Sequence, residues 1–439
     1  MGNHRNTELQ NQDRTYLWHP WTPALTTGDS PFPLYVMGEG CFVYDSDGRK
    51  YLDARSAALN ASLGYGREDI ADAIREQMLQ LMTFELAGSS TIPPAQLAAK
   101  MAELLPPPLQ RTFFCSSGSE ATETSIKMVR MYHRLRGDTS RNLIIGFNGG
   151  YHGATWGALA LSNSRFNQEG YDPAAQGFIA VGHPSNNTKS MRLADEAIGW
   201  VQLAIEKVSA KRVAAVMIEP VLGVGGIRIP PDNYLRLLRE LCDRHGILLI
   251  FDEVLTGFGR TGRMFAFEHW NVLPDIILSS KCLTGGYMPL SAVTATEDVY
   301  SVFINDPLLG GFRHGHTNSG HASACAGALA VIKAIEQENL VQNSADKGKI
   351  IIEELRSLAA SHPAVVDVRG LGLLIAIEFD ENEAGGQLAT HFAKYAANEG
   401  LIVRQQEEIV TIAPPLIIST TECDLLVEIA ERVLAKMAC

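Results

Sequence analysis

The sequence predicts an α/β protein, a mostly parallel central sheet with helices on both faces, joined to a smaller α+β unit. From about residue 95 to 335, short apolar runs alternate with longer helical patterns. The runs are continuous rather than alternating, as strands buried on both faces are. After residue 338 the order changes to helices flanking β-like runs, which marks the second unit. The chain of 439 residues suits two or three domains and a core that stands without staples.

In chain order, the first thirty-odd residues are rich in Pro and turn formers and carry Tyr16, Trp18 and Trp21. A short strand is expected around Cys41 to Tyr44, closed by the turn Asp45-Ser46-Asp47-Gly48. Ile70, Ile74, Met78 and Leu81 recur at helical spacing over 68–82. The central strands are Thr112 to Cys115, Leu143 to Phe147, Val213 to Ile218, Ile247 to Phe251 and Ile276 to Leu278. Helices are expected at 119–136, 194–208 and 232–245 between them. The second unit combines helices 339–360, 387–398 and 421–437 with strands at 364–369, 371–379 and 409–413. Residues 1–70 have too little core of their own and should pack with 336–439, leaving 71–335 as the large domain.

Composition excludes several classes. A chain 46% hydrophobic and 20% charged is neither disordered, collagenous nor a coiled coil. Thirty-seven Lys and Arg against 49 Asp and Glu give a net charge of −12, which opposes nucleic acid or an anionic membrane as partner. The longest apolar runs, such as Ala322 to Ile332, fall well short of a bilayer span. The start, Met1 to Asn6, has no apolar stretch of a secretory signal and misses the myristoylation pattern at Asn6. Cys41, Cys115, Cys242, Cys282, Cys325, Cys423 and Cys439 are scattered singly, with no C-x-x-C pair. A soluble, cytoplasmic protein without a metal site is expected.

Four motifs carry chemistry. Cys115-Ser116-Ser117-Gly118-Ser119-Glu120 joins a strand to a long helix. Its small residues and free first-turn amides suit an anion such as phosphate, while Ser117 with Glu120 equally fits a capping box at an ordinary helix start. Ile247 to Val254 is an apolar strand ending in Asp252 and Glu253, where ligands gather in open sheets. Glu219 ends Val213 to Ile218 in the same way, and a cap or surface ion pair is the alternative for both. Gly257-Phe258-Gly259-Arg260-Thr261-Gly262 matches G-x-G-x-x-G, but Asp252 to Thr256 separate it from the strand and no helix follows. It reads as a loop packed beside the Asp. Finally, Lys281 stands at another strand end among small residues, where a lysine can have a lowered pKa and form a Schiff base, or can be a solvated charge. A phosphate cup, an acid, a lysine and an aromatic in Gly150-Tyr151-His152-Gly153 together supply what pyridoxal phosphate needs.

On these motifs, with Met217 to Gly226, Leu248 to Gly262, Ser279 to Ala292 and His314 to Leu329, nearly the whole chain resembles the class-III pyridoxal-phosphate aminotransferases of fold type I. The resemblance implies Lys281 as the Schiff-base lysine and Asp252 as the partner of the pyridine nitrogen. Tyr151 would stack on one face of the ring with Val254 against the other, and Gly118 and Ser119 would bind the phosphate. Thr317 would reach the phosphate of a neighbouring subunit, making a homodimer with shared sites. Trp21, Leu59, Tyr151 and Glu219 would lie near the substrate. Arg404 would bind a substrate carboxylate, or is a solvated charge after a strand.

Trp18-His19-Pro20-Trp21 and Leu283 to Leu290 are similar to diaminopelargonate aminotransferases. Ala58, Leu59, Thr411 and Ala154 depart from that subgroup and suggest a roomier pocket for a longer or bulkier amine. Cys282 beside the lysine reads as a small core residue. The implied function is ping-pong transfer of an amino group from an ω-amino acid or amine to a keto acid or aldehyde. An aminomutase or epimerase on the same fold is the alternative.

Overall fold

The structure is a computed structural model describing residues 2–23, 32–162, 165–171, 174–184, 194–360, 362–380 and 387–437. Met1, Cys439 and part of the Pro-rich N-terminal stretch lie outside the described residues. Seven strands form the central sheet in the order Leu109–Cys115, Ser291–Thr296, Ile276–Ser279, Leu248–Asp252, Val213–Ile218, Leu143–Phe147 and Phe178–Val181. All neighbours are parallel except Ser291–Thr296, which is antiparallel to both of its own. Every residue of Val213–Ile218 and of Leu248–Asp252 is buried, as continuous apolar runs between helices require.

Strand Ser291–Thr296 has no apolar run, so hydropathy does not reveal it. Its small and hydroxyl residues are nevertheless all buried, and Thr294 hydrogen-bonds Thr112 across the ladder at 2.9 Å. The register sets Ser291 opposite Cys115 and Ala292 opposite Ser279. The carboxyl ends of those two neighbours therefore come out side by side.

The N-terminal stretch corrects the turn-rich expectation, because Gly2–Tyr16 is a helix. That helix is polar all round, so no apolar stripe announces it. Helix Ala322–Gln337 contains the apolar run Ala322 to Ile332 and packs in the core. Among the described residues no helix is long and apolar enough to cross a membrane.

Two four-stranded sheets complete the described fold. Tyr35–Glu39, Phe42–Asp45 and Lys50–Asp53 are joined in parallel by Leu401–Ile402, so the N-terminal strands are completed from the C-terminal part of the chain. The other sheet runs Val365–Leu371, Leu374–Phe379, Ile409–Ile412, Arg404–Gln406. The apolar stretch expected as one strand from 371 is split by a tight turn at Gly372, whose φ of +54° favours glycine.

That turn meets the glycine-rich loop and helix Leu340–Ala359 at close range. A Cβ on Gly348 would lie 2.0 Å from the Gly372 carbonyl oxygen, and one on Gly372 would lie 2.4 Å from the Gly262 nitrogen. Ser344 Oγ donates to Arg260 O and accepts from Leu373 N, each at 3.2 Å. Replacing an interior helix glycine by Ala ordinarily stabilises by about 1 kcal/mol. Here contact with rigid backbone reverses the sign, and Gly348→Ala should destabilise by about 1–3 kcal/mol. A urea midpoint lowered without a change in slope would verify this; a raised midpoint would refute it.

Candidate active site

A cleft of ≈ 160 Å³ opens at the carboxyl edge of the central sheet, lined by Gly118, Ser119, Tyr151, His152, Glu219, Asp252, Val254 and Lys281 among others. Each comes from a strand end or the loop after one, where a parallel sheet gathers side chains from separate segments.

The anion cup is built by a cap. Ser117 is extended and its hydroxyl accepts the Glu120 amide at 3.2 Å, starting helix Gly118–Leu135. Glu120 reaches back to the Ser116 amide at 2.7 Å, one residue beyond the usual capping-box target. The first-turn amides of Gly118 and Ser119 have no intrahelical acceptor, and both residues line the cleft. Ser119 Oγ accepts from Ala154 N at 3.1 Å. Glycine is required at two points of this cradle. A Cβ on Gly118 would sit 3.0 Å from Val254 Cγ1, and one on Gly153 would sit 2.4 Å from Ser119 Oγ. The cap and the anion cup are one structure, so the two readings of the motif do not exclude each other.

Asp252 and Glu253, adjacent in sequence, point to opposite sides of the strand end. Asp252 Oδ2 bonds His152 Nδ1 at 2.7 Å, and Oδ1 accepts from Val254 N at 3.1 Å. Burial alone would lower the His152 pKa, but the hydrogen bond and charge of Asp252, with the charge of Glu219, raise it. Glu253 faces away and braces the glycine-rich loop. Its carboxylate accepts from Thr256 Oγ1 at 2.6 Å and from Ala266 N and Phe267 N at 2.8 Å.

Glu219 is buried beside Asp252 and accepts from Tyr151 N at 2.9 Å and Gly223 N at 2.8 Å. Burial pushes its carboxyl up to about 7, with His152 and the two amides opposing and Asp252 reinforcing. Lys281 sits with φ +34°, a strained backbone for a non-glycine residue and one that clusters at functional sites. Ser280 Oγ anchors that turn to Leu290 O at 2.9 Å. Burial lowers the Lys281 pKa, the charges of Asp252 and Glu219 hold it up, and Arg404 lowers it further. Such a lysine has an enlarged neutral, nucleophilic fraction.

Arg404 begins strand Arg404–Gln406, paired with Thr411, and its Nη2 bonds Gln406 Oε1 at 3.1 Å. Its charge is felt by both Lys281 and Tyr151.

This geometry can hold an anionic group on amides, a cationic ring nitrogen on a buried acid, and an aldehyde on a lysine. The Aminotransferase class-III profile matches residues 26–434. The chain belongs to the class-III aminotransferase family. It is 35% identical to the uncharacterized aminotransferase YhxA of Bacillus subtilis (strain 168), over 97% of this chain and 96% of that protein. It is 34% identical to a taurine–pyruvate aminotransferase of Bilophila wadsworthia (strain 3_1_6), over 96% and 95%. The ω-transaminase of Pseudomonas jessenii in complex with PMP superposes with a TM-score of 0.94, at 32% identity and 98% coverage of both chains. The fold is thus that of the fold-type-I transaminases, and the chain is an enzyme that moves amino groups between amines and keto acids.

Not every residue expected at the substrate lines the cleft of this aminotransferase. Leu59 is 2% exposed and packs with Val221, Ile227 and Leu255, behind the cleft wall rather than on it. Trp21 is exposed and stacks with Phe166 at 6.3 Å. Thr317 is exposed, outside its own chain's cleft. Cys282 is buried in the main core. Several cleft residues were given no role by the sequence reading, Val224 and His152 among them. Val224 gave no signal, whereas His152, in a Gly-rich strand exit, could have been sought as the partner of a buried acid.

Burial pushes the Glu253 carboxyl up to about 7, outweighing its three hydrogen bonds. A carboxyl raised in the folded state costs stability as pH climbs from the unfolded value of 4.5, and the whole cost is present above about 7. The stability difference between wild type and Glu253→Gln should move in the variant's favour by up to about 3 kcal/mol from pH 4.5 to 8. Urea titrations at both pH values test the sign; a constant difference would contradict it.

Proposed function

We propose that this aminotransferase works with pyridoxal phosphate, and that Lys281 carries the reaction in a site completed by a second copy of the chain. The single observation that carries this reading is the convergence, in one cleft, of Lys281 with the His152–Asp252 pair and the Gly118–Ser119 amides. The cradle fits the cofactor, because the absence of a Cβ at Gly118 and Gly153 lets Val254 and Ser119 keep their places in the cleft lining. When bound, pyridoxal phosphate supplies an electrophilic aldehyde and a ring that accepts electron density from the amine-bearing carbon.

The residues divide the remaining work. The Gly118 and Ser119 amides hold the phosphate at the positive end of a long helix. Asp252 holds the ring nitrogen in its protonated form, and the hydrogen bond from His152 fixes the carboxylate's orientation. Tyr151 and Val254 line the cleft and would enclose the ring between them. Lys281 Nζ would hold the cofactor's aldehyde and, once released from it, would move a proton at the amine-bearing carbon. Its lowered pKa favours the neutral amine that this step needs. Glu219, held by two amides, adjoins the reacting end. A keto acid then accepts the amino group by the reverse sequence, with pyruvate or 2-oxoglutarate as candidates; pyruvate is named for the taurine-using relative.

Thr317 lies outside its own cleft, which supports its service to a partner's phosphate and hence a homodimer. The six described cysteines are buried and unpaired, which favours a reducing, cytoplasmic setting.

Mixing the reconstituted protein with an amine, without keto acid, should convert the cofactor stoichiometrically, as its absorbance reports. Lys281→Ala should lose at least about a thousandfold in that conversion, and Asp252→Asn roughly a hundredfold or more. Undiminished conversion in Lys281→Ala, or failure of wild type to take up the cofactor, would reject the assignment.

A further inference from the structure

The loop that carries Thr317 is fastened to the helix that builds the anion cup. From 312 to 317 the chain has no regular structure, and burial alternates along it. Phe312, His314 and His316 are half-buried, while Arg313, Gly315 and Thr317 are exposed. A period of two is that of an extended segment, so the inward histidines set Thr317 outward. The His314 ring stacks on Phe113 at 5.7 Å, and the His316 ring stands edge-on to His314 at 4.7 Å.

Both imidazoles meet one stripe of helix Gly118–Leu135. Glu120, Thr124 and Lys127 follow one another at helical spacing, which puts them on one face. Thr124 Oγ1 is buried and lies 3.1 Å from His314 Nε2, 3.4 Å from His316 Nε2 and 3.3 Å from Cys115 Sγ. Lys127 Nζ lies 3.3 Å from His314 Nδ1. An ammonium only donates, so Nδ1 accepts there and Nε2–H donates to Thr124. The hydroxyl's own proton is left for His316 or Cys115. His316 Nδ1 in turn stands 3.9 Å from Glu120 Oε2, the oxygen that accepts the Ser116 amide at 2.7 Å. A chain of polar contacts therefore runs from the exposed Lys127 to the entrance of the cup. Burial, with the charges of Lys127 and His316, lowers the His314 pKa to about 4 against Glu120 and Glu123, which keeps Nδ1 an acceptor near neutral pH.

We propose that His314 and His316 are positioning residues for the cofactor phosphate: through Thr124 and Glu120 they lock the Thr317 loop to the first turns of the cup helix. The proposal rests on the pyridoxal phosphate reading above. Neither histidine lines the cleft of its own chain, so each acts through its neighbours. A buried hydroxyl stripped of an imidazole partner costs free energy, and its relaxation displaces Glu120 and with it the Ser116 amide. The loss falls on the phosphate end of the ligand and spares the ring and aldehyde end, where Asp252 and Lys281 act.

The test titrates cofactor-free enzyme with pyridoxal phosphate and, separately, with pyridoxal, each followed by its absorbance. Thr124→Val keeps the shape and removes the hydroxyl. Its affinity for pyridoxal phosphate should fall about tenfold, while that for pyridoxal stays within about twofold. His316→Phe keeps a ring and removes both nitrogens, and it should show the same selective loss. Thr124→Ser, which retains the hydroxyl, should recover most of what Thr124→Val loses. A merely structural contact would weaken both ligands alike. If Thr124→Val does not fold, the half-buried His316→Phe decides. Equal loss for the two ligands, or no loss in a folded His316→Phe, would overturn the inference alone. Wild-type enzyme that binds pyridoxal phosphate no better than pyridoxal would overturn the phosphate-cup reading and this inference with it.

Discussion

A carboxylate almost fully removed from water costs several kcal/mol unless its oxygens are met by donors. Asp252 is 4% exposed, and the rest of the site is arranged around meeting that demand. His152 supplies one donor and the Val254 amide another. To bring His152 there, the chain leaves strand Leu143–Phe147 through a glycine-rich turn whose closing segment is held to Ser119 and Ser162. The same turn delivers Tyr151, whose amide is anchored by Glu219. One buried acid thus links the anion cup, the aromatic wall and a second acid.

Much of this was legible in the sequence, for identifiable reasons. Strands Leu143–Phe147 and Val213–Ile218 coincide with their apolar runs because both faces are covered by helices, so hydropathy ends where burial ends. The chemistry-bearing residues sit at those ends, and Lys281, Asp252, Glu219, Gly118 and Ser119 meet in one cleft. What stayed hidden lacked a hydropathy signature. Strand Ser291–Thr296 is buried yet made of small and hydroxyl residues, and helix Gly2–Tyr16 is polar on every face. Asp252 and Glu253 are alike as letters, and only the pleat separates the one at the cleft from the one bracing a loop. Leu59 was expected beside the substrate, but whether an apolar residue lines a wall or backs it depends on tertiary packing.

Arginines anchor the neighbouring loops. Arg369 donates to Gly226 O and Ile227 O and pairs with Asp367 and Glu378, while Arg228 makes a bidentate pair with Glu378 at 2.9 Å. This network fastens the loop bearing Val224 to the C-terminal sheet. Arg260 does comparable work for the glycine-rich loop through Leu373 O and Pro414 O. Their charges are committed to architecture.

Strand Ser291–Thr296 acts as a ruler. Cys115, which feeds the anion cup, and Ser279, which feeds Lys281, pair with consecutive residues of this one strand on its opposite edges. Across three adjacent strands the separation of cup and lysine is metered at about 10 Å. A slip of one residue on either edge would displace one chemical group against the other by about 3.4 Å. The strand touches none of the chemistry, yet it calibrates the span between the two ends of the cofactor.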